Sequence, residues 1–146
     1  MEQPAPKKPG RRILRILPVL LIMGLIFSLS HQEGTSVHLP PVPHIDKLGH
    51  FVLYVLLAGA ALLALPEQLR RECPRKAAAV VFIFCLCYAV TDEVHQWFIP
   101  GREASLADLA ADLVGSSLAV FLWFRRSSQS LRSVQCMLAG GSGPQK

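Results

Sequence analysis

Charge is sparse in this sequence: Asp, Glu, Lys and Arg make up 17% of 146 residues, against about 25% in soluble domains. That shortage counts against a water-soluble enzyme. The charges also lack the interleaved base-contacting polar and aromatic residues that a nucleic-acid surface needs, so nucleic acid is excluded as a partner. Cysteine occurs only at 73, 85, 87 and 136. Cys85 and Cys87 fall on nearly opposite sides of a helix, the wrong spacing for one metal, and the set makes no disulfide framework. No internal repeat is present, and the length allows one domain.

Apolar sequence fills the space that charge leaves. Four runs stand out: residues 16–30, 48–65, 77–91 and 106–124. None carries the polar face that a helix of a soluble bundle shows, so each reads as apolar nearly all round. Crossing the hydrocarbon takes about 20 helical residues. The expected fold is all-α, an integral membrane bundle of four transmembrane helices over residues 13–124. Residues 1–12 and 125–146, rich in Pro and Lys or in Ser and Gly, are expected to be disordered tails.

The cations set the expected orientation. Thirteen of the fifteen Lys and Arg residues lie in the N-tail and its helix start, the 66–76 loop and the C-tail; Lys47 and Arg102 are the other two. The positive-inside bias therefore puts both termini and the 66–76 loop in the cytoplasm and leaves the other two loops outside. The location implied is a membrane crossed several times, N-in and C-in. A cleaved signal peptide is the alternative for the first run, but Arg15 and Pro18 interrupt its core and no A-x-A site closes it.

The remaining polar residues gather at the expected outer side. Asp46, His50 and Tyr54 are spaced i, i+4, i+8 and share a helix face, with Lys47 beside them. The third run ends in Asp92, Glu93, His95 and Gln96, and the fourth begins with Ser105, Asp108 and Asp112. The third helix is expected to continue through Gln96, because its 15 uncharged residues reach only about 22 Å.

Local explanations cover part of this set. Asp46 fits a helix N-cap, and Ser105-x-x-Asp108 fits a capping box. Pro100-Gly101 is a tight turn, and Tyr54 fits a packing role with a wet hydroxyl. Ala107, Ala111, Gly115 and Ala119 form a small-residue stripe for a close helix contact. Asp92 and Glu93 have no such explanation. They stand at a helix C-terminus, where the macrodipole disfavours negative charge, and need a cation, a proton or a metal; Arg102, His95, His50 and Lys47 are the available partners. Asp112 lies two turns inside its helix, and an intramembrane acid is by default a functional group. Asp92, Glu93 and His95 are therefore the candidate catalytic residues. Asp46, Lys47, His50, Tyr54, Gln96, Arg102, Asp108 and Asp112 are the candidate ligand-binding residues. No cofactor is expected; a divalent metal among His50, His95 and the carboxylates is the alternative, without a paired-His motif behind it.

The segments Asp46-Lys47-x-x-His50-Phe51-x-x-Tyr54, Tyr88-Ala89-x-x-Asp92-Glu93-x-His95-Gln96-x-Phe98-x-Pro100-Gly101-Arg102 and Asp108-x-x-x-Asp112-x-x-Gly115 resemble the VanZ-like family over about residues 14–124. The family pattern differs at Asp112, where it usually has Asn, and in a second glycine after Gly115. The resemblance implies a small polytopic protein of the bacterial inner membrane, of a family named after an accessory protein of glycopeptide (teicoplanin) resistance. Three functions compete. The first is a transferase or hydrolase acting on a lipid-linked substrate, with His95 or Glu93 as general base, Asp92 orienting the imidazole and Arg102 holding an anion. The second is binding of a cell-wall precursor or lipid headgroup by the same groups. The third is a structural protein whose polar residues only fasten helix ends. Transport is the weakest reading, because no ionisable residue lies in the inner half of the helices.

Overall fold

Each apolar run becomes a helix longer than itself. The computed structural model describes residues 10–33 and 45–139, with side chains over 13–33 and 45–127. The helices are α1 (Gly10–Ser30), α2 (Ile45–Ala64), α3 (Glu67–Glu72), α4 (Pro74–Trp97) and α5 (Leu106–Ala139). There is no strand among the described residues. Four segments are long and apolar enough to cross a membrane: Ile13–Ser30, Ile45–Ala64, Pro74–Trp97 and Leu106–Ser127. At 18 to 24 residues they measure roughly 27–36 Å, which matches the hydrocarbon. As expected, α4 runs on through Asp92–Gln96.

The breaks between helices have local causes. Pro66 cannot donate into the last turn of α2 and begins the short α3, which the apolar pattern did not reveal. In α3 the Arg71 guanidinium lies 2.7 Å from Glu67, one turn away, and holds that carboxyl below its usual value. Pro74 occupies the first turn of α4, where its missing N–H costs nothing. The Pro100-Gly101 turn is made as expected: Arg102 N–H donates to the Ile99 carbonyl at 3.1 Å, and Gly101 takes φ 74°, the left-handed conformation a type II turn requires.

The tails differ from expectation. Helix α1 begins at Gly10, and α5 continues to Ala139 where a disordered tail from 125 was expected. The physical reason is the absence of Gly or Pro between Phe124 and Gly140; Leu131, Arg132, Gln135, Met137, Leu138 and Ala139 are all good helix formers. Residues 1–9 and 140–146 of the two tails lie outside the described residues.

Small residues let the helices meet closely. The core holds Ile26 from α1, Tyr54, Leu57, Ala58 and Ala61 from α2, and Val81, Cys85 and Ala89 from α4. Helix α5 crosses α2 at Gly115, where an added Cβ would strike the Phe51 carbonyl oxygen and lie 3.2 Å from its carbon. Of the expected stripe, Gly115 is buried, Ala111 and Ala119 are half-buried, and Ala107 is exposed. Cys85 is buried and Cys87 exposed, as their spacing requires. Large apolar side chains such as Leu21, Leu63, Ile83, Val114 and Phe121 point outward, the surface that a bilayer covers.

Candidate functional site

The helices alternate in direction, so the C-termini of α1 and α4 and the N-termini of α2 and α5 meet at one end of the bundle. Polar residues at these four ends are brought together there, in two groups.

The first group lies between α2, α4 and α5. His50 Nδ1 is 3.1 Å from Asp112 Oδ1; Asp112 is fully buried and His50 keeps 17% of its side chain open. Lys47 Nζ donates to Asp46 Oδ2 at 2.8 Å and to Asp108 Oδ1 at 2.9 Å, so one ammonium serves two carboxylates. Asp46 is exposed and stands inside the first turn of α2; it is not the N-cap the sequence suggested, because the helix already begins at Ile45. Its negative charge still complements the N-terminal dipole.

Glu93 belongs to this group through an unforeseen partner. Ser105 N–H donates to Glu93 Oε2 at 2.7 Å, while Ser105 Oγ accepts from Asp108 N–H at 3.3 Å. The expected capping box is therefore half made. Its second half, a side chain reaching the Ser105 amide, comes from Glu93 of α4 instead of Asp108. This also answers the dipole conflict: the carboxylate at the unfavourable end of α4 sits against the favourable end of α5.

Three oxygens here lack partners. Tyr54 OH, Glu93 Oε1 and Asp112 Oδ2 are all buried with no hydrogen bond. Tyr54 lies one turn below His50 on the same face of α2. One ligand atom each from His50, Glu93 and Asp112 falls within 4.8 Å of the others. His95 is not in this set, although the sequence offered it as a companion to His50.

The second group lies between α1 and α4. Gln96 Nε2 donates to Asp92 Oδ2 at 3.1 Å and to Ser30 Oγ at 3.4 Å, all three residues being buried. His95 Nε2 is 3.3 Å from His31 Nδ1, and Phe27 stacks on the His95 ring at 4.6 Å between centroids. Asp92 thus pairs with Gln96 one turn away, and His95 with a ring on another helix. Ser30, His31 and Phe27 were not singled out from the sequence. The available signal was the pair Ser30-His31 closing an apolar run, the same pattern that drew attention to Asp92.

Arg102 lies apart from both groups. It borders a surface hollow of about 310 Å³ with Trp97, Glu103 and Ala104, and no described side chain pairs with its guanidinium. Trp97 and Phe98 are exposed beside it, in the manner of an interfacial aromatic belt.

An all-helical chain with four membrane-length apolar helices and an ionisable cluster at one end is a multi-pass membrane protein. The VanZ/LLP1 family model matches residues 14–127, and the chain belongs to that family. No curated protein and no solved structure matches it.

Proposed function

We propose that this chain is a bacterial inner-membrane protein with both termini in the cytoplasm, whose polar end faces outward and binds a lipid headgroup or cell-wall-linked ligand of the outer leaflet. The observation that carries this reading is the burial of Glu93 and Asp112, with His50 half-buried against them, at one end of a membrane bundle with two carboxylate oxygens unpartnered. Intramembrane ionisable groups are costly to keep. A protein that only fastened its helix ends would leave none unpaired. Arg102 supplies an unpaired cation for a phosphate or carboxylate at the rim. In an enzymatic version, the imidazole–carboxylate pair with suitable geometry is His50–Asp112, in preference to His95–Asp92. A part in glycopeptide (teicoplanin) resistance is the phenotype that the family resemblance suggests.

The orientation rests on the cations. Arg15, Arg70, Arg71, Arg75, Lys76, Arg125 and Arg126 lie at the end of the bundle opposite the site. Reporter fusions at Lys146 and within 66–76 should report cytoplasm, and one at Gly34 the outside. A periplasmic signal from the 66–76 loop would refute the orientation.

The binding reading is tested by native mass spectrometry of the detergent-extracted chain. Wild-type protein should carry a lipid or lipid-linked molecule. Arg102→Ala should lose it while expression and thermal stability stay near wild type, since this side chain sits at the rim and pairs with no described side chain. Equal ligand occupancy in the wild type and in Arg102→Ala would count against the site.

A further inference from the structure

We propose that His50, Glu93 and Asp112 form a binding site for one divalent transition-metal ion, zinc or manganese, inside the polar end of the bundle. Three separate helices, α2, α4 and α5, supply the three donors, and their ligand atoms fall within 4.8 Å of one another. The donor set is one imidazole nitrogen and two carboxylate oxygens, which suits zinc or manganese better than a thiol-seeking ion.

Geometry supports the assignment. Two donors bound to one ion at about 2.1 Å each, with an angle of about 95–110°, lie about 3.1–3.4 Å apart. His50 Nδ1 and Asp112 Oδ1 are 3.1 Å apart, so their contact is already the length of one edge of a coordination sphere. Glu93 is tied to Ser105 through Oε2 alone. Its other oxygen, Oε1, is buried and unpartnered, as is Asp112 Oδ2, in residues that are 7% and 0% exposed. Closing the set takes a shift of up to about 1.4 Å in the Glu93 carboxylate, from within 4.8 Å of the other donors to a coordination edge of about 3.4 Å.

Charge points the same way. Two buried carboxylates with a neutral imidazole carry −2, which one divalent ion cancels. The other charges near the site are committed elsewhere: Lys47 Nζ serves Asp46 and Asp108, and the Asp92 carboxylate accepts from Gln96. Arg102 touches none of the three donors. The open part of His50 gives an ion access from the polar end, and positions around the ion remain for water or a ligand oxygen. An ion there would act as a Lewis acid toward a phosphate or carbonyl oxygen.

The test uses the full chain, purified in detergent through a tag without histidine, stripped with EDTA, loaded with Zn²⁺ or Mn²⁺ and desalted. Elemental mass spectrometry should count one ion per chain, and the loaded wild type should melt at a higher temperature than the stripped protein. Asp112→Asn keeps the shape and a hydrogen bond to His50; it should lower affinity by more than about tenfold and abolish the thermal shift. His50→Gln should do the same. The double variant His31→Ala/His95→Ala removes the other histidine pair and should bind as wild type does. Absence of both ions from the wild type, unaltered binding by Asp112→Asn and His50→Gln, or loss of the ion in the His31/His95 variant would each overturn the site. Lipid measured on the same samples keeps this result separate from the headgroup reading, since either readout can fail alone.

Discussion

Leucine at Gly115 should all but eliminate folded protein from the membrane. Helices α2 and α5 touch backbone to backbone there: even a single Cβ would collide with the Phe51 carbonyl oxygen and lie 3.3 Å from the Phe51 Cα. Neither group can rotate away, because both belong to helix backbones. Overpacking a core with extra methylenes costs about 1–3 kcal/mol when side chains can adjust, and here the helices themselves must part. Lipid offers no compensating hydrophobic gain, since tails are as apolar as leucine. Parting α2 from α5 would also separate His50 from Asp112 and Lys47 from Asp108, two contacts that join these helices. Membrane abundance and the fraction eluting as a single species after detergent extraction are the measurements. Gly115→Ala should show an intermediate loss, and normal abundance of Gly115→Leu would refute the close contact.

Glu93 should separate structure from function by substitution. Glu93→Ala removes the acceptor of the Ser105 amide and leaves that donor half-buried without a partner, which should lower stability by about 1–3 kcal/mol. Glu93→Gln keeps a carbonyl oxygen for the same amide, so thermal unfolding should stay close to wild type. It also removes the negative charge, so ligand occupancy at the site should fall even though the fold persists. Thermal unfolding in detergent, paired with native mass spectrometry of the same samples, distinguishes the two effects. Wild-type stability for Glu93→Ala would show that the cap contributes nothing. Full occupancy for Glu93→Gln would show that the charge at 93 is dispensable.

The candidate residues read from the sequence thus divide by partner. Lys47, His50, Glu93, Asp108 and Asp112 converge between α2, α4 and α5, with Tyr54 packed beneath. Asp92, Gln96 and His95 turn toward α1. Asp46 stays at the surface and Arg102 at the rim. Spacing could not foresee that division. Positions 46, 50 and 54 look collinear at i, i+4, i+8, but at about 100° per residue eight positions drift about 80° past two full turns. Asp46 therefore faces outward while Tyr54 is wholly buried.

Much was set by the sequence alone. Long uncharged runs leave the chain no stable home in water, and an α-helix is the only way for one such run to satisfy its backbone in lipid. Four runs separated by short polar connections then require alternating directions. That alternation carries the polar helix ends that the pattern marks, 46–50, 92–96 and 105–112, to one side of the bundle. The family is likewise legible from those residues and is borne out over residues 14–127. The tertiary structure decided which polar atoms meet. Those pairings link residues 61 and 62 positions apart, Lys47 with Asp108 and His50 with Asp112, and they depend on the rotation of each helix about its own axis. Rotation follows from how closely the backbones approach, above all at Gly115 against Phe51. Local periodicity carries no information about a neighbour's rotation. For that reason the acid at the wrong end of α4 found its compensation at the start of α5, which only the packed bundle could supply.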